Sequence, residues 1–147
     1  MDNRIIDGVG ITSLKIIASP GGHVLHGLKA TENDFNGFGE AYFSIVEYGS
    51  IKAWRRHNKM TLNLVVPVGR IHFAIYDDRD DSGTKGCFQS IEMSQNNYKR
   101  LCIPPMLWLG FKGCDEGLNM LLNIANIPHD PDESDHIDQD QLTYDWG

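Results

Sequence analysis

Apolar and polar positions along this chain alternate over short stretches and never settle into a helical repeat. Short runs rich in Val, Ile, Leu, Phe and Tyr are separated by Gly, Pro, Asn and Asp, the pattern of half-buried strands joined by turns. The runs predict strands over Ser13–Ala18, Val24–Lys29, Glu40–Val46, Ser50–His57, Thr61–Val68, Arg70–Asp77, Cys87–Met93, Lys99–Ile103, Leu107–Lys112 and Leu118–Ala125. Val68-Gly69-Arg70 reads as a tight link between two long strands, and 77–86 (DDRDDSGTKG) as a polar loop. Ser94–Tyr98 is expected to make one helical turn with Ser94 as its cap. Many short strands with regular turns predict an all-β sandwich, barrel or jelly roll.

At 147 residues the chain suits one domain with a real core. No apolar run reaches membrane-spanning length, and the start, MDNRIIDGVG, lacks the pattern of a secretory signal. Cys87, Cys102 and Cys114 form no CxxC pair and read as cytoplasmic thiols. Charge is unevenly placed. Seven of the twenty acids lie in 130–147, which holds no Lys or Arg. The remaining thirteen balance the thirteen bases, so the net charge of −7 belongs to this terminal segment. That balance argues against nucleic acid as a partner, because the chain has no basic surplus. The segment ends Tyr144-Asp145-Trp146, and two outcomes stay open: a solvated acidic tail, or a tail packed back on a barrel.

Four of the bases crowd into Lys52–Lys59, which also contains His57. On a strand, Ala53, Arg55 and His57 share one face, and Lys52, Trp54 and Arg56 the other. Arg55 beside His57 in a concave face would bind an anion or polarise a carbonyl, and a neutral imidazole would remove a proton near pH 7. The plainer reading is a solvated basic edge strand. A jelly-roll metal site would want histidines at 55 and 57, an acid shortly after and a third His near 109. Arg55, Met60, Thr61, Leu62 and Leu109 supply none of these, so no metal is expected. His23, His26, His72, His129 and His136 show no ligand spacing, and no nucleophile elbow, phosphate loop or dinucleotide motif occurs. Asn119 and Asn123, four apart on one strand, and His72 and Tyr76, four apart on another, are further pocket candidates, Tyr76 as a general acid.

Several segments together resemble one family. They are Gly39-Glu40-Ala41-Tyr42-Phe43-Ser44, Ile51-Lys52-Ala53-Trp54 leading to His57, Val65–Gly69 followed by Phe73–Arg79, Ile103-Pro104-Pro105, Gly110-Phe111-Lys112, Pro131-Asp132-Glu133 and Tyr144-Asp145-Trp146. Their order and spacing resemble the dTDP-4-dehydrorhamnose 3,5-epimerase family of cupins. The resemblance implies one cupin jelly-roll domain over 1–147, a homodimer, no cofactor, and a nucleotide-linked 4-keto-6-deoxy sugar as substrate. It implies His57 as the base, supported by an acid near Asp138 or Asp140. It also shows departures: the family's diphosphate Arg falls at Trp54, another Arg near Gly21, a Lys at Leu62, the catalytic Tyr near Asn123 and a second Tyr near His129. Lys52, Arg55 and Arg56 are the expected replacement phosphate contacts, and Tyr76, Tyr144 or His129 the replacement acid. Asn63, Asn119 and Asn123 are expected at sugar hydroxyls. The expectation is thus an epimerase or isomerase with His57, Tyr76 and Asp140 as its catalytic set. The competing expectation is a non-catalytic cupin that binds a sugar nucleotide or a protein.

Overall fold

The alternating stretches fold into twelve strands in a computed structural model that describes residues 5–147. They are β1 (Gly10–Ser13), β2 (Ile16–Ser19), β3 (Gly22–Leu25), β4 (Glu40–Ile45), β5 (Ile51–His57), β6 (Leu62–Val68), β7 (Arg70–Tyr76), β8 (Phe88–Ser94), β9 (Lys99–Ile103), β10 (Trp108–Gly113), β11 (Met120–Ala125) and β12 (Ser134–His136). Two five-stranded antiparallel sheets result, ordered β1-β9-β6-β11-β4 and β12-β5-β10-β7-β8, with β2 and β3 as a separate ribbon. This is an all-β jelly roll, one of the three architectures that the alternation predicts and the one that the resemblance implies.

Three local expectations change. The strand expected over Ser13–Ala18 breaks in two, because Leu14 N–H donates to the Tyr98 carbonyl and the chain then turns into the β2–β3 ribbon. The strand expected over Val24–Lys29 ends at Leu25, whose partner Ile16 is the last of that ribbon. Ser94–Tyr98 makes no helical turn. Ser94 and Asn97 bridge each other, and Ser94 Oγ accepts from the Asn96 N–H, closing a tight β-turn.

Strand parity builds the core. Leu62, Leu64 and Val66 on β6, Ile71, Phe73 and Ile75 on β7, and Leu101 and Ile103 on β9 meet between the sheets. Each such side chain contributes about 1.5–3 kcal/mol when fully buried. The β6–β7 link depends on Gly69, whose φ is 79°. A Cβ there would stand 2.2 Å from the Leu118 carbonyl oxygen.

The other face of the β5-β10-β7-β8 sheet is also covered. Trp54, Ala74 and Trp108 are buried there against Tyr76, Phe88, Leu142, Tyr144 and Trp146. The cover is the C-terminal segment. β12 pairs with the edge of β5, Ile137 and Trp54 exchange both backbone hydrogen bonds at 3.1 Å, and the chain then crosses the sheet. Gly110 lets it lie close: a Cβ would come 2.7 Å from Ala53 Cβ and 3.0 Å from the Trp146 ring.

Candidate active site

Between the sheets, the apolar core gives way to a cavity of about 450 Å³. Leu62, Leu64, Ile103, Leu107, Leu109, Phe111 and Leu121 form its apolar lining. The polar lining comes from four strands: Tyr42 and Ser44 on β4, Arg55 and His57 on β5, Asn123 on β11 and His136 on β12.

His57 is fixed by a carboxylate. Its Nδ1 lies 2.5 Å from Glu133 Oε1, and Glu133 Oε2 accepts the backbone N–H of Lys59 at 2.9 Å and of Met60 at 3.0 Å. Glu133 is 4% exposed. It closes the 3-10 turn Pro131–Glu133, where Asp130 caps the Asp132 N–H and Pro131 sits in the first turn. The Asn58 N–H donates to the Glu133 carbonyl, and Ser134 pairs with His57 in the β12–β5 ladder. The turn is thereby locked against the end of β5. Burial pushes the Glu133 carboxyl upward. The hydrogen bonds from His57 and the two backbone amides outweigh it and hold the group below the ordinary carboxylate range. An ionised Glu133 orients the ring with Nδ1–H toward itself, leaving the Nε2 lone pair for the cavity.

Arg55 adds a cation. It faces His136 across the β5–β12 ladder, and both line the cavity. Among the described residues its guanidinium makes no ion pair. An unneutralised guanidinium beside an imidazole favours an anionic ligand. Lys52, exposed near the start of β5, also borders the cavity.

Other sequence candidates lie elsewhere. Parity on β7 turns Ile71, Phe73 and Ile75 to the core, so His72 and Tyr76 face the opposite side. There Tyr76 packs on Phe88 with ring centroids 4.6 Å apart. His72 Nε2 and the Tyr144 hydroxyl are hydrogen-bonded at 2.6 Å. Arg56 points to the same outer face, paired with Asp135 at 2.8 Å and lying 4.6 Å over the Trp108 ring. Trp54 borders the cavity, but its indole is buried in the outer cluster and donates to the Gln139 carbonyl. Asn63 faces away from the cavity and donates to the Asp34 carbonyl. Asn119 serves the backbone: it accepts from Arg70 and Asp115 and donates to Val46 and Asp115. His129 is exposed on the connection after β11 and lines no part of the cavity. Asp140 is exposed in a 3-10 turn, so the acid at His57 is Glu133 and not Asp140.

Tyr42, Ser44 and His136 therefore line the cavity, and Glu133 supports His57 from behind it, without having been sequence candidates. Tyr42 and Ser44 were legible as one face of β4. Glu133 carried the signal of its Pro-Asp-Glu turn. Among the described residues, no group of three His, Cys, Asp or Glu side chains could hold a metal ion, and no helix is long and apolar enough to cross a membrane.

No family model matches the chain. It is 30% identical to the probable low-salt glycan biosynthesis epimerase Agl13 of Haloferax volcanii, over 95% of this chain and 89% of that protein. It is 27% identical to the spore coat polysaccharide biosynthesis protein SpsL of Bacillus subtilis, over 97% of each. The fold superposes on a solved dTDP-sugar isomerase of Desulfovibrio desulfuricans with a TM-score of 0.89 and 39% identity, covering 92% of this chain and 87% of that one. Solved dTDP-4-dehydrorhamnose 3,5-epimerases, such as that of Elizabethkingia anophelis, share the fold with a TM-score of 0.83 at 15% identity. With 30% identity to Agl13 and 39% to the dTDP-sugar isomerase across most of its length, the chain belongs to the family of sugar epimerases and isomerases that includes both, and it shares the cupin-type fold of the dTDP-4-dehydrorhamnose 3,5-epimerases.

Proposed function

We propose that this cavity enolises a nucleotide-linked 4-keto-6-deoxy sugar, a dTDP-sugar first among them, with His57 as the base. The observation that carries the reading is the His57–Glu133 pair: a carboxylate holds one ring nitrogen and leaves the other for the cavity. A ketone acidifies the C–H bonds on either side of it, and a neutral imidazole is matched to such a proton near pH 7. Arg55 supplies positive charge either to the enolate oxygen or to the diphosphate. The apolar walls strengthen both interactions by excluding water. The reaction would need no metal or cofactor.

The proposed setting is the cytoplasm, which fits three free thiols. The whole chain would act as a single domain, its C-terminal segment keeping Glu133 against His57. The proposed assembly is a homodimer. β4 is an edge strand, and Phe43, Ile45 and Tyr48 at or just beyond it are each more than half exposed. An unpaired apolar edge is a surface that a second copy would cover. Sedimentation equilibrium should give twice the 16.5 kDa chain mass; a monomer at micromolar concentration would reject the dimer.

The function is tested by incubating the protein in deuterated water with dTDP-, UDP- and GDP-linked 4-keto-6-deoxyhexoses and following proton loss by NMR. Washout at a carbon flanking the ketone is expected, and His57→Ala should abolish it while binding persists. Binding without washout across the panel would favour a non-catalytic sugar-nucleotide module.

A further inference from the structure

We propose that Tyr42 is the general acid of this site, returning a proton to the sugar carbon on the face opposite His57, and that Asn123 positions it. The proposal rests on the keto-sugar reading above. His57 lies on β5 of one sheet, whereas Tyr42 and Asn123 lie on β4 and β11 of the facing sheet. Asn123 and Tyr42 stand directly opposite each other in the antiparallel ladder, and all three side chains line the cavity. A flat enolate held between the sheets presents one face to the imidazole and the other to the phenol. Inversion at carbon needs two such groups, because a lone base returns the proton to the face it left.

The hydrogen bonding suits a donor. Asn123 Nδ2–H donates to the Tyr42 hydroxyl oxygen at 3.0 Å. That bond leaves the phenol's own proton unspent, and it stabilises the phenolate that remains after transfer. Asn123 is 1% exposed, and its Oδ1 has no partner among the described residues. A sugar hydroxyl donating there would hold the ring against Tyr42. The remaining tyrosines near the sheet do not compete. Tyr76 and Tyr144 pack on its far side, under the C-terminal segment. By the resemblance, the family's tyrosine falls near Asn123, so the phenol would here have moved one strand over, from β11 to β4.

The step balances without an added reagent. His57 takes the proton as the C–H bond breaks, and the electron pair moves onto the ketone oxygen. The Tyr42 O–H bond then breaks as the new C–H bond forms on the other face and the ketone is restored. Water resets both side chains.

The test is Tyr42→Phe, assayed in deuterated water with the sugar nucleotide that the wild-type protein turns over. Deuterium exchange should persist through His57, and dTDP should still bind, while the inverted sugar forms at least about 100-fold more slowly. Inverted product within about threefold of wild type would overturn the assignment. Joint loss of exchange and dTDP binding would also overturn it, by making the role structural. Wild-type protein that exchanges no sugar of the panel would remove the keto-sugar reading and this proposal together, a result distinct from the other two. Asn123→Leu should slow inversion while deuterium exchange through His57 and dTDP binding persist, a split that a merely structural role would not give. Inversion at the wild-type rate, or exchange lost along with it, would overturn the role of Asn123.

Discussion

His57 Nδ1 and Glu133 Oε1 meet at 2.5 Å although 76 positions separate them in the chain. The meeting is made by β12, a three-residue strand that pairs with the end of β5, and by the capped turn just before it. Glu133 also accepts two backbone N–H bonds, so it ties the Lys59–Met60 backbone to the same point.

Glu133→Gln should therefore damage both chemistry and stability. The amide cannot fix the imidazole tautomer as a carboxylate does: with its oxygen on the two backbone N–H donors its NH₂ faces Nδ1, and turned over its NH₂ faces those donors. Exchange of sugar protons should fall by about 10²–10⁴-fold with little change in dTDP affinity. Urea unfolding should show a loss of about 1–3 kcal/mol. Unchanged exchange in this variant would separate Glu133 from the base.

Arg55 and Arg56 are neighbours in sequence with opposite surroundings. Arg55 lines the cavity without an ion pair, and Arg56 is paired with Asp135 and stacked on Trp108 outside it. Arg55→Ala should weaken dTDP binding by about 10–100-fold, the scale of a lost charge-assisted hydrogen bond. Arg56→Ala should leave that affinity in place and lower the urea midpoint. Calorimetric titration of both variants would expose a swapped assignment at once.

The C-terminal cover should be sensitive to bulk at Gly110. Gly110→Val places atoms where Ala53 and the Trp146 ring already lie. The expected cost is about 1–3 kcal/mol of overpacking, seen in thermal unfolding, with a red-shifted Trp fluorescence as Trp146 lifts off. A variant with wild-type midpoint and spectrum would mean that the segment yields without loss.

Stability should decline on mild acidification through His72. Burial lowers its pKa below the ordinary 6.5, with Glu92 opposing and Lys112 assisting. The unfolded chain therefore binds a proton more readily than the folded one. This contribution is complete above pH 6.5 and is lost as pH falls toward the folded value. Urea midpoints between about pH 7.5 and 5.5 should slope downward with acid, by no more than about 1.4 kcal/mol per pH unit from this group. His72→Gln should flatten the slope. A slope that survives the substitution would place the titration at another residue.

The fold was highly legible because strand alternation is local. Alternation placed strands at both β6 and β7, whose Leu62, Leu64, Ile71 and Phe73 the structure puts in the core. On β5 the same parity separated Arg55 and His57 from Trp54 and Arg56. What failed was parity without a reference. His72 and Tyr76 share a face of β7, yet alternation does not say which face holds a cavity, and theirs is the wrong side of the sheet. The Asn119–Asn123 pair needed one strand over Leu118–Ala125. The strand begins only at Met120, so the Asn119 amide serves backbone groups and only Asn123 reaches the cavity.

The sequence by itself determined an all-β chain, the strands that build it, the base at His57 as a candidate and the acidic character of the last eighteen residues. Each of these follows from side-chain type and spacing along one stretch of chain. Only the tertiary structure decided that Glu133 rather than Asp140 reaches His57, that Tyr42 stands beside Asn123, and that Arg56 lies outside the cavity. These are contacts between elements far apart in sequence. They are fixed by which strand edges pair and which sheet faces turn together, and no local pattern of residues records that.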